Sequence, residues 1–171
     1  MKKLVLLSIT ILMLASCSSM MSSGPSASAT LAPTSGSTAN GTVTFTERSD
    51  GSVDVMVHLT GVPPGVHGFH VHDKGDCGDN GNAAGGHFNP SGVAHGAPSA
   101  DPHHAGDFGN VTADASGVVD TRFNTRSITV TAGANSVVGH AIILHGNPDD
   151  LATQPSGNAG PRIACGVAQM K

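Results

Sequence analysis

Thr42-Val43-Thr44-Phe45 and Val53-Asp54-Val55-Met56-Val57-His58-Leu59 decide the fold class. Val43, Phe45, Val53, Val55, Val57 and Leu59 face one way, and Thr42, Thr44, Asp54, Met56 and His58 face the other. A period of two is what a strand with one buried face requires. Between the two runs, Arg48-Ser49-Asp50-Gly51-Ser52 predicts a hairpin turn, with glycine where a positive φ costs little. Val118–Phe123, Val137–Leu144 and Arg162–Ala168 are further strand candidates, and Asp114-Ala115-Ser116-Gly117 is a second turn. No segment shows helical periodicity. The expectation is an all-β antiparallel sandwich or barrel. Two irregular stretches, about Asp73–Asp107 and Gly146–Pro161, are long for plain connections. Long loops in a compact β domain usually carry function.

The chain has 171 residues, enough for one ordinary domain with tails and too few for two enzyme domains. Charged residues make up 12%, and there are 23 glycines and 10 prolines, a mix that excludes a coiled coil or helical bundle. The valine-rich alternating runs exclude a charged disordered chain. With a formal charge of −4, no nucleic-acid partner is expected. Ten histidines against eight lysines and arginines is the anomaly, and it points to metal.

The first residues do not belong to the predicted domain. Met1-Lys2-Lys3 is a short basic stretch, and Leu4–Leu14 is apolar except for Ser8 and Thr10. This run is too short to span a bilayer and has the flanks of a signal peptide. Leu14-Ala15-Ser16-Cys17 resembles a bacterial lipobox, in which the cysteine is lipidated and becomes the new N-terminus. An ordinary secretory cleavage site is the alternative. The expected organisation is a lipoprotein signal peptide over residues 1–16, a flexible tether over 17–27 and a domain over 28–171. The protein would be exported and lipid-anchored to the bacterial cell envelope, on the periplasmic or outer face, with the membrane as a partner. Loss of Lys2 and Lys3 leaves 6 basic and 12 acidic residues, a formal charge of −6. With Cys17 assigned to lipid, Cys77 and Cys165 remain in a compartment that permits a disulfide; two free buried thiols are the alternative.

The histidines gather at strand ends and in the two long loops. His70-Val71-His72 has the spacing that puts two imidazoles on one face of a strand. His87, His95 and His104 follow, with Asp107 three residues after the last, and His145 ends an apolar strand. A single histidine at a strand end is usually structural. Six of them with one aspartate point to two metals, since imidazole suits copper or zinc and three imidazoles with a carboxylate suit tetrahedral zinc.

Gly65-Val66-His67-Gly68-Phe69-His70-Val71-His72 resembles the first metal-binding strand of copper/zinc superoxide dismutases. Gly86-His87-Phe88-Asn89-Pro90, His95-Gly96-Ala97-Pro98 and His104-Ala105-Gly106-Asp107-Phe108-Gly109-Asn110-Val111 resemble later segments of that family. Gly157-Asn158-Ala159-Gly160-Pro161-Arg162-Ile163-Ala164-Cys165-Gly166-Val167 resembles its C-terminal signature. The resemblance runs from about Ala29 to the end. It implies an eight-stranded Greek-key β-barrel and two cofactors, one copper and one zinc per chain. His70, His72, His87 and His145 would hold copper. His87, His95, His104 and Asp107 would hold zinc, so His87 would be shared. Asp149 would tie the copper ligand His70 to the zinc ligand His95. Cys77 and Cys165 match the family disulfide, Arg162 the arginine that docks the superoxide anion, and His67 a structural histidine of the barrel. His103 and His140 have open roles, and His58 reads as an exposed strand residue.

In the family mechanism copper cycles by one electron, which zinc cannot do, and His87 takes and returns a proton. Many relatives carry lysines and acids in the loop before the arginine, whereas Leu151–Pro161 here carries no charge. Steering of superoxide should therefore be local, from Arg162 and the metals. A metal-buffering lipoprotein without turnover and a surface-anchored structural module are the alternatives. The family includes dimers and monomers, so a homodimer is one open state.

Overall fold

The structure is a computed structural model and describes residues 24–34 and 36–171. The expected signal peptide, Cys17 and most of the tether lie outside the described residues. Among the described residues nine strands follow in chain order: β1 (Ser26–Pro33), β2 (Asn40–Glu47), β3 (Val53–Thr60), β4 (Gly65–His72), β5 (Asp107–Ala113), β6 (Val119–Thr125), β7 (Ala141–His145), β8 (Arg162–Val167) and the two-residue β9 (Gln169–Met170). All ladders between them are antiparallel. Eight of them hydrogen-bond in the order β5-β4-β7-β8-β1-β2-β3-β6, and β9 pairs with β1. Because β3 pairs with β6 and β4 with β7, the chain crosses over rather than meandering, as a Greek key requires. The end strands β5 and β6 are joined by a tight turn, so the sheet curls into a nearly closed barrel.

The alternation read from β2 and β3 holds: Val43, Phe45, Val53, Val55, Val57 and Leu59 are all buried in one core. His58 and Met56 face solvent. Asp54, assigned to the polar face, is nonetheless buried. Its carboxylate accepts from Arg48, Arg122 and Asn124, which hold it ionised well below the usual carboxylate range. Both turns form as expected. The Arg48 N–H donates to Ser52 O across 2.8 Å with Gly51 at φ +77°, and Asp114 Oδ1 accepts from the Ser116 and Val118 N–H groups beside Gly117 at φ +78°.

Two strand starts and one loop element differ from expectation, while β6 and β8 shift only at their ends. The tether was expected to reach Ala27, but β1 begins at Ser26, and Ala27 is fully buried and paired with Phe45 and Met170. The small residues of Ser26-Ala27-Ser28-Ala29 resemble linker composition while meeting the strand period. Val137 and Val138 precede β7 rather than belong to it, although Val137 is buried in the core. Two short 3-10 turns, separated by a kink at Asn80 and Gly81, occupy Asp79–Ala84 inside the first long loop; they are too short to leave a periodic trace.

β7 buries every residue, Ala141 to His145. Ile142 and Leu144 enter the main core, whereas Ala141 and Ile143 pack outside the barrel wall with Ala84 and Cys165. Phe69 and Val71 of β4 likewise point into the core, so His70 and His72 point outward under the loops. Cys77 and Cys165 form a disulfide, with Cα atoms 5.7 Å apart across 88 positions, and it fastens the loop to β8.

Candidate metal centre

Parity places the first histidines. His70 pairs with Ile143 and His72 with Ala141 across β4 and β7, and His145 ends β7 on that same outer side after a register shift. A second irregularity between Gly68 and His70 brings Asp107, the first residue of β5, opposite His70. The loop after β4 then folds back, and His87 forms an isolated bridge with His72. His95 and His104 come from the rest of that loop. Two groups result, His70–His72–His87–His145 and His87–His95–His104–Asp107, with all ligand atoms of each within 4.8 Å of one another. All seven residues are buried. Every metal-site residue expected from sequence is brought into one of the two groups.

The hydrogen bonds decide which nitrogen of each ring is left over. His72 Nδ1 donates to Gly85 O at 3.0 Å, His145 Nδ1 to Gly160 O at 3.1 Å, and His104 Nε2 to Val93 O at 3.1 Å. His70 Nε2 and His95 Nε2 donate to the two oxygens of Asp149, at 2.8 and 3.0 Å. A proton held on one nitrogen leaves a lone pair on the other. His72 Nε2 and His145 Nε2, freed in this way, lie 3.3 Å apart. His70 Nδ1, His87 Nε2, His95 Nδ1 and His104 Nδ1 are buried and form no hydrogen bond. Such atoms are costly unless a cation or proton meets them.

His87 differs from the other rings. Its Nδ1 lies 2.7 Å from Asp107 Oδ1, and that same oxygen is 3.0 Å from His95 Nδ1 and 3.2 Å from His104 Nδ1. Four ligands about 2.0 Å from a tetrahedral ion stand about 3.3 Å apart, so this quartet already has nearly the size of such a shell. The other ring nitrogen of His87 faces the first group, with its ring centroid 4.0 Å from His70 and 5.0 Å from His72. One imidazole thus offers a nitrogen to each group. The donor chemistry fits a borderline ion in both, and the carboxylate-bearing group fits zinc.

Burial favours the neutral imidazole, the form that ligation requires, at His70, His72, His104 and His145. It lowers His70 to about 4 and His145 to about 3 from the ordinary 6.5, and His72 and His104 shift the same way for the same first reason. Burial works to raise the Asp107 carboxyl, but bonds from His87 and from the His104 and Gly96 N–H groups outweigh it and hold the carboxyl well below its usual range. Asp149 is lowered against the same opposition, chiefly by the His70 bond. Gly157 is required beside it: a Cβ there would lie 1.7 Å from Asp149 Oδ1, and its φ is +65°.

A cavity of about 520 Å³ opens onto this centre, lined by His72, His87, His145 and Arg162 among others. The Arg162 guanidinium donates to the carbonyls of Gly81 and Gly85, in the loop segment that the disulfide closes. Burial lowers its pKa, but a guanidinium starts so high that it stays a cation.

His103 and His140 stand outside both groups. His103 Nδ1 donates to His104 O at 2.7 Å, and His140 stacks on Phe88 with its Nδ1 3.2 Å from His72 O. His67 is buried and bridges His145 O and Pro63 O, a structural histidine as expected. The sequence reading missed three carboxamide clamps. Asn89 closes on the backbone of Val93, Asn110 on that of Asp149 and Gln154 on that of His95. Asn89 and Asn110 lie within recognised motifs, but no pattern marks Gln154.

Residues 39–168 match the family described as copper/zinc superoxide dismutase. Among solved structures, the crystal structure of the clock protein EA4 is 38% identical, with a TM-score of 0.78 over 87% of this chain and 96% of that one. The family match covers well over half of the sequence, and the two histidine groups share a ring where such a metal pair needs one: the chain belongs to the copper/zinc superoxide dismutase family.

Proposed function

We propose that this protein is a superoxide dismutase, converting two superoxide anions and two protons into O2 and H2O2. The observation that carries the reading is His87, buried between two ligand groups with one nitrogen toward each. In this reading His70, His72, His87 and His145 hold copper, and His87, His95, His104 and Asp107 hold zinc. Copper in such a site supplies a one-electron couple, while zinc fixes the shared ring. Arg162, anchored on the cavity wall, attracts the anion and orients it. His87 Nε2 holds a proton in one half of the cycle and gives it up in the other. Asp149 keeps the His70 and His95 rings from rotating by engaging both Nε2 atoms.

The N-terminal sequence supports an exported protein anchored through lipid on Cys17, to be tested by the mass of the mature N-terminal peptide. A metal-buffering role without turnover is the second reading, since a protein named for a clock has this fold. Dismutation by protein loaded with both metals decides. Activity that is lost in His145→Ala supports the enzyme, and an inactive, fully loaded wild type leaves only the buffer.

A further inference from the structure

His95 sits in a stretch of loop with no strand on either side, between Val93 and Ala97. Its backbone is nevertheless paired on both sides. The His95 N–H donates to Gln154 Oε1 at 2.9 Å, and Gln154 Nε2 donates back to His95 O at 2.8 Å. One side chain, 59 positions away, thus supplies both bonds that a neighbouring strand would give. Gln154 Nε2 also lies 3.2 Å from Ala152 O, which closes its own turn around the same amide. The loop that carries Gln154 grips His95 a second time, through Asp149 Oδ1 on the ring Nε2. Asp149 sets how the ring is turned, and Gln154 sets where its backbone stands. Together they aim Nδ1 at His87, His104 and Asp107.

We propose that Gln154 is a positioning residue for zinc: it holds His95 in place for the ion and couples the zinc loop to the rim of the cavity, which it also lines. This rests on the assignment of His87, His95, His104 and Asp107 as a zinc site. A shortened side chain leaves the His95 backbone to water, so the ring explores positions that no longer converge with the other three ligands. Residues behind the ligands of a metal typically matter by 10- to 100-fold in affinity. The partly exposed position of this clamp places it at the lower end.

The test compares wild type, Gln154→Ala and Gln154→Glu, each loaded with copper and either zinc or cobalt(II). Gln154→Glu keeps the acceptor for the His95 N–H but puts an oxygen against its carbonyl, so it should not rescue. Zinc transfer to a chromogenic chelator is timed, the visible spectrum of cobalt(II) is recorded, and unfolding of the metal-free proteins is followed. Both variants should release zinc about 10-fold faster and give a weaker, shifted cobalt(II) spectrum, with metal-free unfolding unchanged. Unaltered zinc release, or faster release matched by an equal loss of metal-free stability, would overturn the proposal. A wild type that gives no tetrahedral cobalt(II) spectrum would instead overturn the zinc assignment itself.

Discussion

Replacing both cysteines, as Cys77→Ala/Cys165→Ala, should cost stability and catalysis together. The bridge closes a loop across 88 positions, for which chain entropy predicts about 4–5 kcal/mol, an upper value. Alanine is the right replacement because Cys165 is buried against Ala84, Ala141 and Ile143, where a serine hydroxyl would add its own cost. In guanidinium chloride, with a slope of about 4 kcal/mol per M for a domain of this size, the midpoint of the metal-free protein should fall by about 1 M. The catalytic effect follows from the loop the bridge pins. Gly81 and Gly85 take the Arg162 guanidinium, Gly85 also orients His72, and the Gly81 N–H returns to Cys77 O. Released from β8, that loop no longer holds Arg162 at the cavity, so the rate per bound copper should drop several-fold at full metal content. A midpoint within about 0.2 M of wild type, corresponding to under about 1 kcal/mol, would refute the stability half. An undiminished rate per copper would refute the link from disulfide to Arg162.

Arg162→Ala should lower the dismutation rate by about 10- to 100-fold with copper and zinc content unchanged, because the substrate loses the guanidinium on the cavity wall; an equal rate would remove Arg162 from the mechanism. Because Leu151–Pro161 carries no charge, the rate should change less than about threefold between 0.02 and 0.2 M salt in stopped-flow assays. A steeper fall would mean that long-range steering operates. The metal-free protein should lose stability as the pH falls from about 6.5 toward 3. His70 and His145 are lowered first by burial, to about 4 and about 3, so the unfolded chain takes up these protons before the folded one does. Across that window His70 contributes about 3 kcal/mol and His145 about 4 kcal/mol, and denaturant unfolding that is flat with pH there would contradict the burial of these rings.

The barrel was legible because a period of two survives wherever one face is buried and the other wet, as in β2 and β3. It faded where that asymmetry ends. β7 is buried on both faces, so its start could not be placed among Val137–Leu144. β1 is built from serine and alanine, whose size carries little apolar contrast. The ligands were legible because imidazole and carboxylate at set spacings are chemically uncommon. The groups that orient them were not: Gly85, Gly160 and Val93 act through backbone carbonyls, which every residue has. Gln154 acts across 59 positions through an amide that any surface loop carries.

The most direct test of the shared ring is anomalous diffraction from crystals of the metal-loaded protein, collected at the copper and zinc absorption edges. Two ions should appear, copper against His87 Nε2 with His70, His72 and His145, and zinc against His87 Nδ1 with His95, His104 and Asp107. A single ion, or two ions of which His87 touches only one, would contradict the account.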